Sequence, residues 1–104
     1  MSGIELSPET KRRLDALFAG ASREKAAAIL RTQLGPTLPF AETTTPQDLE
    51  RIRFAALKLS NGDLSRLQEA AKVAGEDWRD VLVAAGFADD IRAHESWFPG
   101  GHAA

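Results

Sequence analysis

"DWRDVLVAAGF", residues 77–87, is the stretch on which the fold depends. Five apolar residues run unbroken between an acid-flanked tryptophan and a Gly-Phe pair. Asp77 is placed to cap a helix, with Asp80 three positions on in the reciprocal arrangement that satisfies free amides at a helix start. Gly86 supplies a left-handed stop, and Phe87 can fold back on Leu82 as the apolar latch of a Schellman ending. "VLVAA" is apolar on all sides, which is expected of a central helix enclosed by its neighbours. The stretch is therefore read as core.

The segments on either side carry the same punctuation. Ser7-Pro8-Glu9 starts a helix, with the serine hydroxyl as cap and proline at the first helical position. Leu14, Leu17 and Phe18 share one face, and Gly20 is the expected stop. Ser22 opens a second helix with Ala26, Ile29, Leu30 and Leu34 inward, ended by Gly35-Pro36. A proline-rich connector over 35–46 leads to Thr45-Pro46-Gln47-Asp48, another start. In the third helix Leu49, Ile52, Ala56 and Leu59 form a stripe, Phe54 and Leu57 lie partly off it, and Arg51 and Arg53 point away. Asn61-Gly62-Asp63 is a tight reversal, and Asp63 caps a fourth helix that buries Leu64, Leu67, Ala71 and Ala74 and stops at Gly75. A short last helix begins at Asp89 or Asp90 and passes through His94 to Trp97. No segment alternates with period two long enough to make a strand. The prediction is an all-α, irregular, partly orthogonal bundle of five to six short helices. It forms one domain over residues 1–104, with 99–104 a flexible tail.

Composition removes several classes of function. The chain has 104 residues and no cysteine, so disulfides, zinc–thiolate sites and thiol catalysis are excluded. No apolar run is long enough to span a bilayer, and the first ten residues lack a signal-peptide pattern, so a cytoplasmic location is expected. Residues 1–35 carry six Lys/Arg against four Asp/Glu, whereas residues 63–104 carry four against eight. Duplex binding normally requires a basic face.

A helix-turn-helix is the alternative reading of the region. Ala71, Gly75 and Val81 meet its spacing, and "LQEAAKVAGEDWRDVLVAAGF" can be laid over the motif. Its second helix would bring Glu76, Asp77 and Asp80 to the phosphates, leaving Arg79 as its one candidate for a base edge. Lys11, Arg12 and Arg13 would add backbone contacts. Catalysis has less support, because Asp77 and Asp80 are explained as caps and His94 and Glu95 face different directions. His94, Asp90 and His102 are the only candidates for a shared metal, and His102 lies in a glycine-flanked tail. No metal, cofactor or catalytic residue is expected.

"WRDVLVAAGF" followed by "AHESWFP" resembles the ending of a class of small, uncharacterised bacterial helical proteins. The resemblance covers the last third of the chain and implies a compact helical fold; it implies no activity, ligand or partner.

Trp97 and Phe98 admit two roles. Either both rings pack back and anchor the terminus, or they stay partly exposed with an acidic rim and form a protein-binding surface. The expectation is a non-enzymatic protein-interaction module with an unidentified protein partner. Its surface would join Asp89, Asp90, His94, Trp97 and Phe98. The alternative is a DNA-binding or transcription-associated protein using Lys11, Arg12, Arg13 and Arg79. Nucleic acid is the less expected partner and a membrane is not expected; the oligomeric state is open.

Overall fold

Local start and stop signals set the helix boundaries. Ser7 accepts from the Thr10 amide at 3.1 Å with Pro8 behind it, and α1 runs Pro8–Leu17. Gly20 has the expected positive φ (+59°), but it begins α2 (Gly20–Thr32) rather than ending α1, and no side chain caps that start. The α3 helix spans Pro46–Ser60 and α4 spans Leu64–Ala85. Between them Asn61 and Gly62 both take positive φ, and a Cβ on Gly62 would press on the Leu17 carbonyl at 3.2 Å. Asp63 caps α4 by accepting from the Ser65 amide at 2.8 Å. A single 3₁₀ turn, Ala93–Ser96, follows. The structure is a computed structural model that describes residues 6–34, 46–89, 93–97 and 99. The expectations for the 35–45 connector, Asp90, Phe98 and the 100–104 tail lie outside the described residues.

The all-α class holds, with four α-helices and one 3₁₀ turn among the described residues in place of five to six short helices. The expected stop at Gly75 is absent. Instead the backbone leaves helical geometry at Asp77 (φ −156°, ψ 98°), whose carboxylate accepts from the Arg79 amide at 3.1 Å and restarts the helix as a kinked continuation. At the far end of α4 the Schellman ending forms as expected. Gly86 N–H donates to Val83 O at 3.1 Å, Phe87 N–H donates to Leu82 O at 2.9 Å, and Leu82 and Phe87 are both buried.

The core centres on α3, not on "VLVAA". Every residue of α3 from Arg51 to Leu57 is buried, and α3 packs against α1, α4 and the 3₁₀ turn. Val81, Leu82 and Ala85 are buried, but Val83 is 65% exposed, so the end of α4 is a surface helix with one inward face. An apolar run did not require enclosure, because valine and alanine can lie on a surface at modest cost.

Candidate functional site

The central helix carries cations where its sequence suggested only an outward face. Arg51 and Arg53 are both buried, a correction to the expectation that they point away. What draws them inward is carbonyl oxygen left without donors at element ends. The Arg53 Nε–H is shared between Leu30 O (3.2 Å) and Leu34 O (3.0 Å), at the end of α2. Arg51 donates to Phe87 O at 2.6 Å and Ala88 O at 3.3 Å, just past α4. Lys58 donates to Ala85 O at 2.8 Å, and its ammonium lies 4.9 Å from the centre of the Phe87 ring. Burial pulls the Arg53 guanidinium down to about 10, still far above neutral pH, so it stays charged. Each cation thus meets the negative end of a helix or the chain leaving it.

A fourth cation, from α1, holds the C-terminal segment. Arg13 is only 4% exposed. Its Nε donates to Trp97 O at 3.0 Å, one terminal nitrogen reaches Glu95 O at 3.4 Å, and the other bonds Glu9 through both its carbonyl and its carboxylate. The guanidinium lies 4.2 Å from the Phe54 ring centroid. Beside it is an aromatic cluster: Phe54 meets His94 edge-on at 5.2 Å and Trp97 at 6.3 Å, and Phe87 meets both at 6.4 and 6.3 Å. Trp97 is thereby half-buried against the core; Phe98, expected to share its role, lies outside the described residues. His94 is fully buried, and a carboxylate oxygen of Glu50 is 3.8 Å from its Nε2. Glu50 in turn accepts from the Ser7 hydroxyl, and Ser7 and Thr10 hydroxyls lie 2.9 Å apart.

Of the expected partner surface, Asp90 and Phe98 lie outside the described residues. Asp89 is exposed, whereas His94 is wholly inside and Trp97 is half covered. Of the cations assigned to nucleic acid, Arg13 is occupied within the fold. Lys11 and Arg12 remain exposed on α1, with Arg12 paired to Glu9 at 3.3 Å. Arg79 is exposed at the α4 kink, its guanidinium 5.8 Å from the Trp78 ring and 3.9 Å from Asp77. Among the described residues, no three His, Asp or Glu side chains gather in a metal-ligating group, and no helix is long and apolar enough to cross a membrane.

One clue to the buried arginines was present in the sequence. At about 100° per residue, positions 51 and 53 stand roughly 200° apart and cannot share one solvent face. With Leu49, Ile52 and Phe54 to Leu57 covering the remaining directions, at least one arginine had to enter the interior.

Comparison with known proteins adds what this geometry does not contain. The chain is 38% identical over 68 residues to the ribosome-binding factor A of Mycolicibacterium gilvum (strain PYR-GCK), a match covering 56% of this chain and 40% of the relative. It is 37% identical over 72 residues to the protein of the same name from Mycobacterium sp. (strain JLS), covering 60% and 42%. The Mycolicibacterium smegmatis protein gives 37% over 68 residues, covering 56% and 44%. These relatives are named for binding the ribosome. The chain spans less than half the length of the curated relatives it matches. No family model and no solved structure matches.

The likeness overturns two expectations: that the chain is an interaction module for an unidentified protein, with DNA binding as the alternative, and that nucleic acid is an unexpected partner. The relatives carry the name of a binding factor and not of a catalyst, in accord with the expectation of a non-enzymatic protein, and they are bacterial.

Proposed function

We propose that this chain binds the ribosome. The observation that carries the proposal is its 37–38% identity to mycobacterial ribosome-binding factor A. A ribosome presents phosphate over much of its surface, so its docking partners rely on exposed Lys and Arg, with hydrogen bonds to phosphate setting orientation. Lys11 and Arg12 on α1 and Arg79 at the α4 kink are exposed and meet that need. Arg79 beside Trp78 adds a planar cation next to a ring, a pairing suited to unstacked bases. Arg13 is left out of the contact, since its donors hold Glu9, Glu95 and Trp97.

The test is sedimentation of the full chain with purified ribosomes over a salt series. Wild type should pellet at low salt. If three phosphate contacts are made, log affinity should fall with log salt at a slope of about −2 to −3. The Lys11→Ala, Arg12→Ala, Arg79→Ala triple variant should keep its helical circular dichroism, bind more weakly and show a flatter slope. Failure of wild type to pellet at any salt would reject ribosome binding. A triple variant indistinguishable from wild type would remove these three side chains from the contact.

A further inference from the structure

His94 stands apart from the other ionisable groups among the described residues, because its side chain is wholly excluded from solvent. Among those residues neither ring nitrogen has a hydrogen-bond partner. Buried polar atoms are normally satisfied; among the described residues Arg51 Nε is also left over, but Arg51 still donates through a terminal nitrogen to Phe87 O and Ala88 O, whereas His94 uses neither ring nitrogen. The imidazole sits between Phe54 and Phe87 and is the most deeply buried side chain of the 3₁₀ turn. The turn is otherwise tied down by Arg13, through the Glu95 and Trp97 carbonyls, and by the contacts of Trp97 with the same two rings.

We infer that His94 is a proton-operated latch on the C-terminal segment, which stays docked while the imidazole is neutral and is released when it takes up a proton. A neutral imidazole suits the Phe54–Phe87 slot as an aromatic ring. An imidazolium there would need two acceptors within hydrogen-bond distance; among the described residues neither nitrogen has one, and Glu50 Oε1 stands off at 3.8 Å while its Oε2 accepts from Ser7.

The charged groups facing the ring come from three elements. Glu50 of α3 and Glu95 of the turn favour the proton, while Arg51 of α3 and Arg13 of α1 oppose it; Phe87, at the end of α4, brings no charge. Burial is the largest influence, and it holds His94 below its usual 6.5. The sign follows from linkage. Above 6.5 docked and released forms are both neutral, and docking does not depend on pH. Below 6.5 the released form binds a proton that the docked form excludes, so the docking constant falls by up to about tenfold per pH unit. Histidine is the side chain whose unperturbed titration falls in this range.

Trp97 reports the docked state directly. In a Trp78→Phe background it is the only tryptophan, and its acrylamide quenching can be followed from pH 7.5 to 5 alongside far-ultraviolet circular dichroism. The latch requires quenching to rise at least twofold below pH 6.5 with the helical signal unchanged. It also requires His94→Phe, which keeps a ring in the slot, to remove the rise. Quenching that does not change with pH overturns the latch. So does an equal rise in His94→Phe, or a rise that tracks loss of helix. Should His94→Phe not fold, the ring-proton resonances of His94 in a His102→Ala chain decide the matter. A midpoint below 6.5 that coincides with the quenching change upholds the latch, and any other result overturns it.

Discussion

Replacing Arg53 by methionine keeps most of the side-chain volume and removes the charge, which isolates what the buried cation does. Leu34 N–H donates to Ile29 O at 3.2 Å and so passes over the Leu30 carbonyl, leaving Arg53 to serve both Leu30 O and Leu34 O. A hydrogen bond from a charged donor contributes about 1.5–3 kcal/mol, and a cation at a helix C-terminus adds about 0.3–1 kcal/mol. Against these stands the cost of burying the guanidinium. Its fall from 12.5 to about 10 corresponds to roughly 3 kcal/mol at about 1.36 kcal/mol per decade. Arg53→Met recovers that cost but leaves two buried carbonyls unsatisfied, at about 1–3 kcal/mol each. At mid-range the losses total about 4–5 kcal/mol and exceed the recovery, and a net destabilisation of about 1–2 kcal/mol is expected. Urea unfolding measures it as a lower midpoint at unchanged slope. Buried ionic groups replaced together with their partners by apolar ones can leave stability unchanged or higher. Here the partners are backbone and cannot be replaced. An Arg53→Met protein as stable as wild type would therefore refute the role assigned to Arg53.

Two further changes test the end of α4. Leu82→Ala removes a buried side chain that packs under the Schellman ending and should cost about 2–5 kcal/mol in urea unfolding; a loss below about 1 kcal/mol would mean that this face is not core. Gly86→Ala meets open space, with Lys58 Nζ at 3.9 Å the nearest atom, but must hold a φ of +82°. Its cost of about 1–2 kcal/mol should therefore be conformational and visible as a lower melting temperature. An unchanged melting temperature would show that the left-handed ending is not required.

The helix starts and the apolar faces were legible because their causes are local. Ser7, Asp63 and Asp77 each cap the amides that follow them, and Ala26, Leu30 and Leu34 are all fully buried at their fourfold spacing. Which helix would be central was not legible from apolarity. "VLVAA" contains no polar residue and lies at the surface, while "RIRFAAL" contains two arginines and lies at the centre. The deciding contacts join Arg53 to Leu30 and Leu34, and Arg51 to Phe87, across distances in sequence that no window spans. Gly75 misled for a related reason. Its conformation is right-handed and a Cβ there would touch nothing, so the glycine imposes no stop, and the break falls where Asp77 can cap a new turn. The candidate site was legible in part: His94 and Trp97 do come together, but around an inward cluster completed by Arg13 and Phe54, which the sequence had assigned elsewhere.

Burying Arg13, Arg51 and Arg53 also changes what the outside of the molecule offers. The formal charge of −2 counts all thirteen basic residues, but these three stabilise carbonyl ends and cannot neutralise phosphate. Among the described residues the exterior is consequently more acidic than their composition indicates, and contact with a phosphate surface there falls to exposed cations such as Lys11, Arg12 and Arg79. Stability and the proposed ribosome binding would therefore depend on different sets of basic side chains. Substituting the interior set should lower the unfolding midpoint, while substituting the exterior set should weaken binding and leave the midpoint nearly unchanged. Arg13 is where the two could be confused, because it neighbours Arg12 in sequence and holds the C-terminal segment in space. Weakened ribosome binding in an Arg13 variant would thus report the loss of the docked segment, and Trp97 quenching would distinguish that from the loss of a phosphate contact.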